Sequence, residues 1–449
     1  MNMDTMFPHI AGYGAIKAEA AQIVDLLRNT DLYERHGAHC PRGWLFYGDP
    51  GMGKTRLIYD IASQLNVSLV EISSSHAIQL GKSVEQDLID GFASARAAGK
   101  AIVLIDELDK LVGYKKYEYE VPENLKLQKI LLHELDLVKD CVGVAVIATA
   151  NKRALLGDAL LRSGRFDRQI HFNRPTAQDR EQIIRYFLRD AKLADGVDVQ
   201  ELTEMTAGRS CAEIECIVNE AMIASAFRRD EQVTLSDFNA AYNRVHFGDI
   251  AKEDCTTREQ AKLIAYHEAG HAYISYLMNP KQLHFASIIP QGTSAGSLLI
   301  KGDDDAVRTM EAYENEVRIG LAGHLAVRKL AGERTGGNTS DLKKCTKLIR
   351  EMCDEGFFGY GYCEFYINEE YSGRFADEML RRKGEKIVER MNFYAGEVER
   401  MLEDGKEKVE AIAMALVEKR ELSSREILEI IQGKLIFPNA FAASWDVDF

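Results

Sequence analysis

The sequence predicts a multidomain chain: an α/β domain built on a mainly parallel sheet, a small helical domain, then a mainly α-helical domain. Three observations predict it. Short apolar runs alternate with helix-spaced segments from about residue 16 to 175. Strand signals fade after Pro175, and helical spacing dominates again beyond the polar hinge GDIAKEDCTTRE, with one β-like interruption. At 449 residues the chain exceeds what one ordinary core organises.

The strands come first. WLFYG at 44–48, VSLVEI at 67–72, AIVLID at 101–106 and VGVAVIATA at 142–150 are apolar or β-branched. Helical segments such as KTRLIYDIASQL and EQDLIDGFASARAAG lie between them, which implies parallel strands covered on both faces. After Pro175, TAQDREQIIRYFLRDAKL, CAEIECIVNEAMIASAFRR and LSDFNAAYNRV read as three helices, the first started by Thr176 with Asp179. The β-like interruption is FASIIPQGTSAGSLLI, and a long charged helical stretch runs from about 373 to 432. The expected boundaries are 1–176, 177–248 and 249–449.

Composition narrows the function. A net charge of −14, with Lys and Arg interleaved among acids, argues against a nucleic-acid partner. Eight cysteines without a C-x-x-C pair read as reduced thiols. Neither a bilayer-length apolar run nor a signal-peptide pattern is present, so the expected location is cytoplasmic, with no membrane span in this chain.

GDPGMGKT at 48–55 matches G-x-x-x-x-G-K-[ST] between a strand and a helix. In that setting Gly48, Gly51 and Gly53 let backbone N–H groups curl around phosphates, Lys54 reaches the β and γ phosphates, and Thr55 binds Mg²⁺. The nucleotide contacts expected are Asp49, Pro50, Gly51, Met52, Gly53, Lys54, Thr55 and Arg56. At the end of AIVLID, Asp106 would hold Mg²⁺ through water and Glu107 would orient the attacking water. Asn151, after the strand VAVIATA, could contact the γ phosphate, and LLRSGRFDRQ supplies Arg162 and Arg165 as candidate arginine fingers.

HEAGH at 267–271 lies in REQAKLIAYHEAGHAYISYLM, whose apolar spacing is helical. His267 and His271, four apart, project from one helix face and can fill two zinc positions, with Glu268 as general base. Spacing leaves the third ligand open among His284, His324, Asp303 to Asp305 and Asp341.

Residues 7–247 resemble an AAA+ ATPase module, with a large α/β ATPase subdomain and a helical lid. The whole chain resembles the FtsH family of ATP-dependent zinc metalloproteases. The resemblance implies an adenine pocket lined by Ile10, Ala11 and Gly12 of IAGYGAIKAEA, with His9 where the family has an acid. It implies a homohexamer whose Arg162 and Arg165 reach the next subunit, and protein or unfolded-polypeptide substrates. It also makes Asp341 in TGGNTSDLKKCTKLIR the third zinc ligand and His324 structural. The expected activity is unfolding and translocation driven by ATP, Mg²⁺-dependent, followed by peptide hydrolysis at zinc. The alternatives are a remodelling ATPase without proteolysis and a metallopeptidase uncoupled from ATP.

Two features depart from the family. Where members have an aromatic, an apolar residue and a glycine in the pore loop, HAIQLGKSVE at 76–85 offers Leu80, Gly81 and Lys82. Members also usually carry transmembrane helices before the ATPase module, and this chain starts at that module. FASIIPQG is expected to offer a strand edge along which extended substrate pairs.

Overall fold

The computed structural model describes residues 3–38, 40–113, 122–139, 141, 143–162, 164–247, 257–280, 283–290, 296–300, 308–333, 339–358 and 374–435. The chain forms two compact units, Met1–Phe238 and Asn239–Phe449. The division falls within a helix of the expected lid, ten residues before the 248/249 boundary read from the sequence.

The first unit begins with α1 (Met3–Met6), α2 (Gly14–Arg28) and α3 (Thr30–Arg35). Then follow β1 (Gly43–Tyr47), α4 (Lys54–Leu65), β2 (Ser68–Ile72), α5 (Ser74–Gln79), α6 (Val84–Ala98) and β3 (Ala101–Ile105). α7 (Leu108–Val112), α8 (Pro122–Val138), β4 (Val144–Ala150) and β5 (Arg168–His171) complete the α/β part. All five strands are parallel in the order β2-β3-β4-β1-β5.

Strand alternation sorts side chains onto two cores. Leu45, Val103 and Val146 pack with Phe92 and Leu131 on one face, while Trp44, Phe46, Ile102 and Ile147 pack with Leu57 and Ile61 on the other. β5 is absent from the sequence reading because RQIH is polar. It is an edge strand, paired on one side with β1 and exposed at both ends, so it needs no apolar face.

The helical part holds α9 (Ala177–Phe187), α10 (Val199–Met205), α11 (Cys211–Phe227) and α12 (Leu235–Phe247). Thr176 caps α9 reciprocally with Asp179, as expected. The sequence reading missed α10. Its seven residues are too short to display a period, and Asp198, which accepts from the Gln200 N–H, was its only visible signal.

In the second unit α13 (Arg258–Met278) is followed by β6 (Leu283–Ser287), β7 (Ser297–Ile300), α14 (Met310–Ala326) and α15 (Thr339–Asp354). The long charged stretch resolves into α16 (Arg374–Asp404), α17 (Lys406–Lys419), β8 (Glu421–Ser423) and α18 (Ser424–Ile431). α13 is the central helix, buried through Ala265, Ala269, Ala272 and Ile274 in a core shared with α14, α15, α16 and α17. Small residues there let α14 approach closely: a Cβ on Gly270 would stand 2.6 Å from the Ala326 Cβ. The strands form an antiparallel sheet in the order β7-β6-β8. No described helix is long and apolar enough to cross a membrane.

Candidate nucleotide and metal sites

Because the first sheet is parallel, the loops after β1, β3 and β4 leave from one edge. There the Lys54 ammonium donates to the Gly48 carbonyl at 2.7 Å, the Asp49 carbonyl at 2.8 Å and Asn151 Oδ1 at 3.0 Å. Burial lowers its pKa, and the charges of Asp109, Asp106, Asp49 and Glu107 oppose that shift. Thr55 Oγ1 donates to Asp106 Oδ1 at 3.0 Å, and Thr149 Oγ1 donates to the same oxygen at 2.6 Å. Thr149 also accepts from the Glu107 N–H at 2.9 Å, fixing Glu107 in a left-handed backbone conformation, φ 54°. Asp109 accepts from the Asn151 N–H at 3.1 Å. Lys54, Thr55, Asp106, Glu107 and Asn151 are thus gathered by strand ends, while Thr149 and Asp109, which hold them, escaped the sequence reading.

The loop geometry requires its glycines. Gly51 has φ +77°, and a Cβ there would lie 2.9 Å from the Ala212 Cβ, so α11 sits against the phosphate loop. Met52 is buried, Asp49 pairs with Arg174 at 3.1 Å, and Pro50 and Arg56 are exposed. The adenine-segment candidates lie alongside: a Cβ on Gly53 would be 3.5 Å from Ile10 Cδ1, Ala11 is half-buried, and Gly12 has φ +69° against Asp179. His9 pairs with the buried Asp60 of α4 at 2.6 Å, which gives this substituted position a tethering role. Tyr13, not singled out in the sequence, donates its N–H to Asp179 at 2.6 Å and its hydroxyl to the Asn173 carbonyl at 3.0 Å. Arg162 is exposed, whereas Arg165 donates to the Ala159 carbonyl at 2.7 Å and pairs with Asp136 at 2.9 Å.

In the second unit α13 presents His267 and His271 one turn apart, with Nε2 atoms 3.0 Å apart. Asp341, in the first turn of α15, places Oδ2 3.3 Å from His267 Nε2 and 3.7 Å from His271 Nε2. Three tetrahedral zinc ligands at about 2.0–2.1 Å from the metal stand about 3.3 Å from one another, so this donor set fits zinc. His271 Nδ1 lies 2.7 Å from the Ile319 carbonyl, which can only accept. The ring proton therefore sits on Nδ1 and the Nε2 lone pair faces the site.

Burial lowers the His267 pKa, favouring the neutral ligand form. Burial raises the Asp341 carboxyl, but hydrogen bonds and charge from the two histidines outweigh it and hold the group well below the usual range. Glu268, 4% exposed, is pushed up to about 7 by burial.

Two glycines shape this centre. A Cβ on Gly323 of α14 would lie 2.4 Å from His271 Nε2 and 2.7 Å from His267 Nε2. One on Gly296, just before β7, would lie 2.7 Å from Glu268 Oε1. Neither was read from the sequence. The available signal was a pair of glycines inside the helical pattern RIGLAGHLA, which calls for a packing reason. Among the other ligand candidates His324 follows Gly323 and is half-buried. His284 belongs to β6, and Asp303 to Asp305 lie outside the described residues.

Comparison with known proteins bears on both sites. A model for the ATPase family associated with various cellular activities (AAA) matches residues 44–174, an AAA+ lid domain matches 196–240, and peptidase family M41 matches 254–430. The ATP-dependent zinc metalloprotease FtsH 2 of Thermoanaerobacter sp. (strain X514) is 31% identical over 424 residues, 94% of this chain and 82% of the relative. The ATP-dependent zinc metalloprotease FtsH of Rhodothermus marinus is 31% identical over 441 residues, 95% of this chain and 63% of that protein. This chain belongs to the FtsH family of ATP-dependent zinc metalloproteases.

Two segments of this FtsH-family chain that the sequence reading gave to substrate handling differ from that reading or extend it. β6 overlaps FASIIPQG at Phe285–Ser287, where it pairs on both sides and offers no edge; the end of that segment, from Gln291, lies outside the described residues. β7 and β8 are the outer strands of this sheet among the described residues, and β7 follows Gly296, on which a Cβ would meet Glu268. The segment read as the pore loop is a short helix, α5, followed by a turn. Ile78 is 77% exposed and Leu80 52%, Gly81 has φ +65°, and Lys82 pairs with Asp90 at 2.7 Å.

Proposed function

We propose that this chain works as a homohexamer that threads protein substrates through its ring with ATP and Mg²⁺ and hydrolyses their peptide bonds at zinc. The observation that carries the reading is the convergence of His267, His271 and Asp341 over Glu268 in a chain that also builds a complete phosphate-loop site. Held by those three ligands, zinc supplies a Lewis acid that acidifies water and polarises the scissile carbonyl. Glu268, buried beside the ligands, takes the water proton and returns it to the leaving amine. β7 aligns an extended substrate by backbone pairing next to Glu268, so cleavage depends weakly on side chains.

In the other unit, backbone N–H groups of Gly51 to Gly53 and Lys54 hold phosphates, Thr55 and Asp106 hold Mg²⁺, and Glu107 and Asn151 orient water. Arg162 is the finger offered to the neighbouring subunit, and Arg165 shapes its loop through Asp136. The domains are 1–176, 177–248 and 249–449, and the site of action is the cytoplasm.

The test is ATP-dependent peptide release from a stably folded protein, measured beside an unfolded one. Loss of both with Glu268→Gln, and of the folded one alone with Glu107→Gln, is the expected pattern. The aliphatic Ile78 and Leu80 favour a second reading, a ring-assembled peptidase uncoupled from ATP. Cleavage of the unfolded chain only, indifferent to ATP, would establish it.

A further inference from the structure

The second residue of the phosphate loop is an acid. Asp49 directly precedes the loop backbone that offers N–H groups to phosphates, and its own carbonyl accepts from the Lys54 ammonium at 2.8 Å. Burial lowers the Lys54 pKa, and the Asp49 charge is among those that oppose the shift, so the two side chains feel one another. A carboxylate in that place repels a triphosphate and competes with it for Lys54 unless a cation cancels it. Arg174 is that cation. Its Nε donates to Asp49 Oδ2 at 3.1 Å, and its Nη1 donates to the Gly208 carbonyl at 2.6 Å.

Arg174 stands where the α/β part passes into the helical part. The Phe172 N–H donates to the Tyr47 carbonyl at 2.7 Å, the Asn173 carbonyl accepts from the Tyr13 hydroxyl at 3.0 Å, and the Pro175 carbonyl accepts from the buried Arg180 at 3.1 Å. With its neighbours pinned, the Arg174 side chain reaches from a fixed base to the phosphate loop on one side and to the turn between α10 and α11 on the other. That turn meets the loop a second time, where the Ala212 N–H donates to the Gly51 carbonyl at 3.0 Å.

We propose, resting on the nucleotide site assigned above, that Arg174 is a positioning residue of the ATPase: it cancels the Asp49 charge beside the bound phosphates and, through Gly208, ties the phosphate loop to the helical part. Both side chains of the pair are more than half exposed, so the pair adds little to stability, and its effect lies in the field at the phosphates. Arginine suits the task because its planar fork holds two acceptors at once, whereas a lysine supplies the charge without the fork. Charge and bridge are therefore separable by substitution.

The experiment titrates ATP with Mg²⁺ into the full chain by calorimetry, in a Glu107→Gln background that slows hydrolysis. Arg174→Gln is expected to weaken ATP binding at least about fivefold, because Asp49 is left uncancelled. Asp49→Asn combined with Arg174→Gln is expected to bind ATP within about twofold of the parent, since no charge remains to cancel, a rescue that a merely structural role would not give. Arg174→Lys, with Glu107 intact, is expected to keep KM for ATP within about twofold while kcat falls at least about threefold, because the bridge to Gly208 is lost.

A double variant as weak as Arg174→Gln would overturn the proposal, and so would an Arg174→Lys variant with full kcat. Lys54→Ala, run beside them, separates this proposal from the site it rests on. ATP bound by Lys54→Ala as tightly as by the parent would remove the phosphate-loop site itself. Loss of binding there with Arg174→Gln unaffected would overturn the role of Arg174 alone.

Discussion

Gly323→Ala tests the architecture of the metal centre at a residue that touches no substrate. The added Cβ would stand 2.4 Å from His271 Nε2 and 2.7 Å from His267 Nε2, about 1 Å inside ordinary contact. The helices cannot separate to relieve it, because Gly270 already brings α13 against Ala322 and Ala326. The imidazoles must yield, and His271 then loses its 2.7 Å bond to the Ile319 carbonyl.

Displacing reacting groups by about 1 Å costs roughly 10²-fold in rate, and losing a histidine's orienting bond costs about 10- to 100-fold in metal affinity. Alanine is otherwise better than glycine in a helix by about 1 kcal/mol, so global stability should hardly fall. The expected variant binds zinc at least tenfold more weakly in a chelator competition, loses about 100-fold in peptidase kcat/KM, and keeps its ATPase and Tm. Wild-type zinc affinity and cleavage would refute the reasoning, because α14 would then not be setting the ligand positions.

Further expectations follow from the same contacts. Thr149→Val removes the hydroxyl that joins Asp106 to the Glu107 N–H and leaves a buried group unpaired, at about 1–3 kcal/mol, so ATPase kcat should fall roughly 5- to 150-fold with ATP affinity less affected. Retention of the wild-type rate would show that Glu107 is held by other means. Leu80→Tyr places a ring at the exposed position where the family resemblance puts an aromatic and should speed unfolding of a stable substrate severalfold at unchanged ATPase, read by fluorescence loss. A zinc-selective chelator in excess Mg²⁺ should abolish peptide cleavage while sparing ATPase, with zinc restoring it, since the ligands and the phosphate loop lie in separate compact units.

Much of both sites was legible because their chemistry is local in sequence. Lys54 and Thr55 act from one loop, and His267, Glu268 and His271 from one helical turn. Buried parallel strands declare themselves for the same reason, since each must be apolar on both faces. What escaped depends on contacts made across the chain. β5 is polar because an edge strand has one partner, and Thr149 matters only because β4 lies beside β3. Gly323 looks like a mere defect in a helix until α14 is laid against α13.

The β-edge expectation failed over Phe285–Ser287 in the same way. An alternating segment such as FASIIPQG announces a strand, but which strand of a sheet lies outermost is decided by its neighbours, here β7 and the three-residue β8 contributed from 134 residues further on. That distant strand closes the side of β6 opposite β7. Under the proposed pairing of substrate along β7, truncation before Glu421 should free the β8-facing side of β6 and make cleavage register less uniform, as read by mass spectrometry of the products. An unchanged product pattern would mean that β8 merely braces the sheet and that register is fixed by Gly296 and β7 alone.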